Sequence, residues 1–212
     1  MSELAVMPLA DYKGICDKVR EKTGTTEPIK SGDMVSMLDE IGGTIENPYV
    51  EYIYYTNDAG AGRLKVICHN FEFFYSNMFA NETALTDVDL TDCPNMTDIG
   101  SVTFQNCQYI TEFVIPETIT ILKQQVFQNC YGLTEMVIPA SVQEMWAQTF
   151  YNCKNMTKVT FKGTPTKILN NVFNSCTALK TINVPWAEGA VANAPWGATN
   201  ATINYNYVEG GA

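Results

Sequence analysis

Four cysteines, Cys107, Cys130, Cys153 and Cys176, follow one another at intervals of 23 residues, and each closes a four-residue step that opens with phenylalanine. The steps are Phe104-Gln-Asn-Cys107, Phe127-Gln-Asn-Cys130, Phe150-Tyr-Asn-Cys153 and Phe173-Asn-Ser-Cys176, and they align without a gap. Short runs rich in β-branched residues follow at fixed offset: Ile110-Thr-Glu-Phe-Val-Ile-Pro116, Leu133-Thr-Glu-Met-Val-Ile-Pro139, Met156-Thr-Lys-Val-Thr-Phe161 and Leu179-Lys-Thr-Ile-Asn-Val-Pro185. A degenerate copy, Phe79-Ala-Asn-Glu82 and then Leu85-Thr-Asp-Val-Asp-Leu90, begins 25 residues before Phe104. Self-similarity this regular predicts one small unit stacked on itself, a solenoid.

The physics of one coil follows from its residues. In the run from Leu133 to Ile138, Leu133, Met136 and Ile138 are expected on the inward face of a short strand. Pro139 ends that strand, because it brings no N–H to a ladder. Val142 and Met145 then return to the core, as Ile119 and Leu122 do one coil earlier. The phenylalanine fills the far end of the coil, and the asparagine beside it is suited to bonding exposed backbone in the tight return. One coil cannot bury its apolar face alone; stacking does so, at about 1.5–3 kcal/mol per buried side chain. Two open ends are left, and both need caps. The cysteine spacing is the repeat period, unlike a C-x-x-C zinc pattern or a disulfide framework, so the thiols are expected to be small buried hydrophobes. A thiol ladder holding metal or disulfides is the alternative.

These residues closely resemble the BspA-type leucine-rich repeats, in which L-T-x-V-x-I-P is followed by I-x-x-A-F-x-x-C. The resemblance covers about residues 79–185. The chain departs from the pattern at Lys162-Gly163, where Pro is usual, and around Gln125, Thr149 and Asn171, where Ala often precedes Phe. What the resemblance implies is a leucine-rich repeat solenoid of short β-strands and tight turns.

Outside the repeats the pattern changes, giving an α+β chain of four parts: a helical hairpin over 1–44, a β-hairpin cap over 45–78, the solenoid over 79–185 and a C-terminal cap over 186–212. Residues Tyr49–Thr56 and Arg63–Cys68 alternate around a turn at 57–62, as a hairpin does. Leu9, Tyr12, Ile15, Cys16 and Val19 recur at helical spacing, and Ser31 or Asp33 can start a second helix carrying Met34, Met37, Leu38 and Ile41. Two such helices fall below the ~40 residues a lone core needs. Leu9, Tyr12, Ile15, Val19, Met34, Leu38 and Ile41 are therefore expected to pack between subunits, the solenoid itself being the other possible seat.

A second resemblance sits at the two ends. Residues 12–34 are similar to the N-terminal module of tail-associated proteins in phages and prophages of Gram-positive bacteria, and residues 184–205 to the C-terminal segments of the same proteins. That resemblance implies a virion tail component assembled in the bacterial cytoplasm. The module over 1–44 would bind other tail proteins, the chain would form a trimer or hexamer, and the solenoid would contact a glycan or protein of the host surface. The alternatives are an adhesin-like repeat protein at the bacterial cell surface and an internal tail scaffold without receptor contact.

Charge and motifs narrow the chemistry. The net charge is −10 with only 13 Lys and Arg, thinly spread, whereas a nucleic-acid binder needs clustered cations. No apolar stretch reaches the ~18 residues of a membrane span. The first ten residues lack the features of a secretory signal, which predicts folding in a reducing cytoplasm unless a leader has been trimmed. His69 is the one histidine and has no nucleophile partner in a recognisable arrangement. Glu112 and Glu135 recur at equivalent repeat positions as surface residues. No phosphate loop, dinucleotide fingerprint or H-E-x-x-H occurs, so no catalytic residue, cofactor or metal is expected. The positions that vary between coils supply the candidate ligand residues Tyr109, Gln128, Tyr131, Trp146 and Tyr151, since aromatic faces stack and amides hydrogen-bond. Trp186 and Trp196 are expected to pack in the C-terminal cap rather than line a ligand pocket.

Overall fold

The computed structural model describes residues 49–56 and 62–210. The helical hairpin expected over 1–44, with Leu9, Tyr12, Ile15, Val19, Met34, Leu38 and Ile41, lies outside the described residues. The strands are β1 (Tyr49–Thr56), β2 (Gly62–His69), β3 (Phe73–Phe74), β4 (Leu85–Asp92), β5 (Asp98–Ile99), β6 (Ile121–Leu122), β7 (Glu135–Ile138), β8 (Glu144–Met145), β9 (Lys158–Phe161), β10 (Lys167–Ile168), β11 (Thr181–Asn183) and β12 (Thr202–Asn204).

Coils such as those of β7 and β8 and of β9 and β10 contribute two strands, one to each of two sides of the solenoid. On one side two-residue strands form a parallel sheet in the order β10-β8-β6-β5-β3. The other side carries the longer strands as a parallel sheet of β7, β9, β11 and β12, and as a second sheet in which β4 pairs parallel with β2 and β2 pairs antiparallel with β1. The sheets break at residues 110–115, where Ile110, Phe113 and Ile115 stay buried but no ladder strand forms. The segment from Leu85 to Met96 is two residues longer than its counterpart from Ile110 to Ile119.

The core is a set of columns running along the axis. Ile110, Leu133, Met156 and Leu179 form one, and Leu122, Met145 and Ile168 another, all 0–1% exposed. Val142, Met145, Ile119 and Leu122 all point inward as the sequence predicts. Phe79, Phe104, Phe127, Phe150 and Phe173 stack one on the next, with ring centroids 5.2–5.7 Å apart and planes within 6–12° of parallel. Burying such a ring stabilises the stack by about 1.5–3 kcal/mol.

The corner holding these rings is built on left-handed backbone. Asn81, Asn106, Asn129 and Asn152 have φ of 67, 62, 61 and 57°, a region asparagine tolerates better than most residues. Their side chains do not bond the return backbone as the sequence suggests. Instead each amide donates to the one before: Asn106 Nδ2 to Asn81 Oδ1 at 2.7 Å, Asn129 to Asn106 at 2.6 Å and Asn152 to Asn129 at 2.8 Å. The left-handed turn points the side chains along the axis, where the neighbouring amide is nearer than any open carbonyl.

The cysteines do more than fill space. Each thiol donates to the carbonyl of the phenylalanine one coil back: Cys107 to Phe79, Cys130 to Phe104, Cys153 to Phe127 and Cys176 to Phe150, at 3.0–3.1 Å. Burial pushes the Cys107 thiol up to about 12, and raises Cys130 and Cys153 well above the ordinary thiol range.

The repeat extends further at both ends than the Phe-x-Asn-Cys steps reveal. β2 and β3 pair in parallel with β4 and β5, so residues from β2 onward already form a coil. At the far end Val191 and Trp196 stand 23 residues after Ile168 and Phe173 and are 5% and 0% exposed. Trp186 meets Phe161 edge-on at 5.2 Å and Trp196 at 6.3 Å, so both tryptophans belong to the packing of this last coil. After β12 the chain turns back: Asn206 N–H donates to Trp186 O, Tyr207 N–H to Val184 O, and Glu209 pairs with Lys162. Thr160 and Asn183 occupy the outward positions of β9 and β11, yet are only 6% and 5% exposed where this segment returns. At Lys162-Gly163, one departure from the family pattern, Lys162 in place of Pro donates its N–H to Ile138 O at 2.9 Å, and Gly163 has a steric cause. A Cβ at Gly163 would lie 2.7 Å from Ala140 Cα in the coil before.

Candidate binding surface

A face able to bind must leave side chains uncommitted, and many polar groups of the described residues are committed internally. The acidic residues of β4 illustrate this. Asp87 and Asp89 face Lys65 at 3.2 and 3.7 Å, and Asp92 Oδ2 lies 2.7 Å from His69 Nδ1. Hydrogen bonds from the Thr91 side chain and N–H hold Asp89 below the usual carboxylate range, with Lys65 adding to the effect. Among the described residues no group of three or more His, Cys, Asp or Glu is placed to hold a metal ion.

The residues singled out from the sequence fall on three parts of the coil. Trp146 directly follows β8 on the short-strand side and is 36% exposed. Gln128 and Tyr151 sit in the phenylalanine corner, half-buried, where Gln128 Oε1 accepts from Gln105 Nε2 at 2.8 Å. Tyr109 and Tyr131 lie beyond the corner, at the entrance to the longer strands. Arg63 stands 4.1 Å over the Tyr109 ring, and Lys154 4.1 Å over the Tyr131 ring, whose hydroxyl also receives Asn152 Nδ2 at 3.3 Å. These five side chains do not form one stripe, because the corner separates Trp146 from the two tyrosines.

The short-strand side brings Trp146 together with partners the sequence did not single out. Register aligns Phe74, Ile99, Leu122, Met145 and Ile168 as the buried column. The next residue of each coil gives the column Tyr75, Gly100, Lys123, Trp146 and Leu169, of which Tyr75 and Trp146 are exposed, Lys123 and Leu169 half-buried and Gly100 buried. Before the buried column stand Phe73, Asp98, Ile121, Glu144 and Lys167. Phe73 and Tyr75 are each 43% exposed and meet edge-on at 4.9 Å. Lys123 Nζ contacts Asp98 Oδ2 at 2.5 Å, and Lys167 reaches Glu144 at 3.8 Å. Trp146 Nε1 donates to Glu144 Oε2 at 2.9 Å, which fixes the indole while leaving its face open. Gly100, buried between Tyr75 and Lys123, is required by the backbone packing: a Cβ there would lie 2.5 Å from Ser76 N in the coil before.

Phe73 and Tyr75 escaped notice because their coil is offset by 25 residues instead of 23. The Lys123, Trp146 and Leu169 column runs back by 23 residues to Gly100 and then by 25 to Tyr75, and Phe73 likewise stands 25 residues before Asp98.

With this geometry in hand the comparisons with known proteins are decisive for the family. The model of the BspA type leucine rich repeat region matches residues 68–191 in six copies, more than half of the chain. The chain belongs to the BspA-type leucine-rich repeat family. Its six copies agree with a stack that begins at β2 and runs past Pro185. This BspA-type solenoid is similar in structure to a leucine rich cell surface protein from Faecalibacterium prausnitzii, with a TM-score of 0.56, 21% identity, and coverage of 66% of this chain and 39% of that one. A leucine-rich repeat protein from Bacteroides ovatus gives a TM-score of 0.46 and 15% identity, over 68% of this chain and 47% of the other. The BspA-type chain thus spans less than half the length of either, and at 21% identity the likeness to the F. prausnitzii protein is one of fold. No curated protein matches it in sequence.

Proposed function

We propose that this chain is an adhesin-like binding module, which docks a macromolecule of a cell surface on the outer face of its short-strand sheet. The observation that carries the reading is the exposure of Phe73, Tyr75 and Trp146 on one face of a backbone fixed by stacking. Large aromatic side chains held rigid and left open to water are the groups that dominate interface energies. Support also comes from the family and from the fold shared with a cell surface protein of F. prausnitzii. The test is attachment of the fluorescently labelled full chain to intact bacterial and epithelial cells, beside a Phe73→Ala, Tyr75→Ala, Trp146→Ala variant. Loss of attachment in the folded variant supports the reading, and attachment unchanged by the three substitutions ends it.

A tail component of a phage is the second reading, motivated by the resemblance of residues 12–34. Residues 184–205, the other part of that resemblance, supply the last coil and β12, a task they perform in any setting. On this reading residues 1–44 join other tail proteins and assemble the chain as a trimer or hexamer. Light scattering on the full chain and on a form lacking residues 1–44 tests it, since equal masses per particle would remove the assembly role.

A further inference from the structure

The docking reading above leaves the partner's chemistry open, and the short-strand face narrows it. The charges on this face cancel in pairs, Lys123 with Asp98 and Lys167 with Glu144. Nothing on it selects a strongly charged partner, and the chain's net charge of −10 opposes an anionic one. The exposed rings do not merge into the continuous desolvated centre of a protein interface. The Lys123–Asp98 ion pair lies between Tyr75 and Trp146, alternating flat apolar surface with hydrogen-bonding groups. That alternation matches a sugar, whose C–H faces lie on aromatic rings while its hydroxyls bond charged side chains in the ring plane.

Spacing adds a second argument. Tyr75 and Trp146 are three coils apart in one column, about 14 Å at about 4.8 Å per rung. An extended chain of equatorially linked pyranoses advances by nearly one rung per sugar, so its rings keep step with successive coils. The two platforms are also pre-set: Phe73 steadies Tyr75 from the edge at 4.9 Å, and Glu144 holds the Trp146 indole at 2.9 Å. Little side-chain freedom remains to be lost on binding.

We infer that this face binds an extended, uncharged oligosaccharide laid along the solenoid axis. Tyr75 and Trp146 carry rings about three units apart, and Lys123 and Glu144 take the hydroxyls between them.

Titration calorimetry of the full chain with cellohexaose, mannohexaose and chitohexaose, and with a hyaluronan hexasaccharide as the anionic counterpart, tests this. At least one neutral hexasaccharide is expected to bind and the hyaluronan oligomer is not. Tyr75→Ala and Trp146→Ala should each weaken binding roughly tenfold, while Val114→Ala, on the longer-strand side, leaves it unchanged. All these side chains are exposed, and an unaltered circular dichroism spectrum verifies that the variants fold. Stronger binding of hyaluronan, or neutral-sugar binding indifferent to Tyr75→Ala and Trp146→Ala, overturns the inference. If no neutral hexasaccharide binds but the triple variant still loses cell attachment, a protein occupies the face. The inference then falls while the docking reading stands. If the triple variant keeps attachment, both fall.

Discussion

The phenylalanine corner and the short-strand face belong to the same coils, yet they vary in opposite ways. At the corner five coils present Phe on Phe, four present Asn on Asn, and each thiol of the repeated steps finds the same carbonyl one coil back. On the short-strand face the column changes at every coil, from Tyr75 through Gly100 and Lys123 to Trp146 and Leu169. Positions that must interlock with their own copies are held to one residue type, because a stack requires each copy to fit the next. Positions that face outward are freed from that demand. In a repeat protein uniformity marks what holds the fold, and variation marks where a partner can be recognised.

The sharpest way to break this contrast is to remove a corner ring. Phe127→Ala leaves a cavity between Phe104 and Phe150 and should cost about 3–5 kcal/mol, read as a lower urea midpoint. A loss below 1 kcal/mol would mean the stack does not carry the coil. Next comes the thiol. Cys130→Ala deletes a buried donor to Phe104 O and a little volume, about 2 kcal/mol. The thiols also predict a pH dependence whose sign is fixed. Their folded pKa lies above the unfolded value of about 8.5, so their contribution is complete below that pH and is lost as pH rises toward the folded value, about 12 for Cys107. Each such thiol should lower stability by about 1.4 kcal/mol per pH unit across that window, and Cys130→Ala should flatten the decline by one thiol's share. Equal slopes in the two proteins would show that Cys130 ionises alike folded and unfolded.

Asn129 separates backbone from side chain. Asn129→Gly keeps the left-handed turn and breaks the amide ladder, whereas Asn129→Ala breaks the ladder and also strains the turn, and should cost a further 1–2 kcal/mol or so. Identical denaturation midpoints for the two would refute the importance of the positive φ. Last, Trp146→Ala should leave stability within about 0.5 kcal/mol while weakening cell attachment. A large stability loss would place Trp146 with the corner residues and erase the distinction.

How much of this was legible beforehand depends on what each feature leaves in the sequence. The 23-residue period announces the coil, and the inward placing of Val142 and Met145 follows from it. Trp196 also sits on the period, 23 residues after Phe173, but a change from Phe to Trp hides the column when residue identity is the guide. Phe73 and Tyr75 are concealed by the 25-residue step. The thiol donors and the amide ladder leave no trace, since a cysteine that donates and one that merely fills space are spelled alike. The covering of Thr160 and Asn183 depends on where the chain returns after Asn206, a tertiary event that no local pattern records. The candidate ligand residues are those at which coils differ. One coil has three outward regions, however, and a list of variable positions does not say which share a side.

The parallel register of the short strands makes the coil a unit of length. Duplicating one 23-residue block would add a single rung to the face and move the aromatic platforms apart by one step, without altering any existing contact except at the join. Reach along a linear ligand can therefore change by whole increments while the interior is copied unchanged, so that in this architecture ligand length is counted in coils.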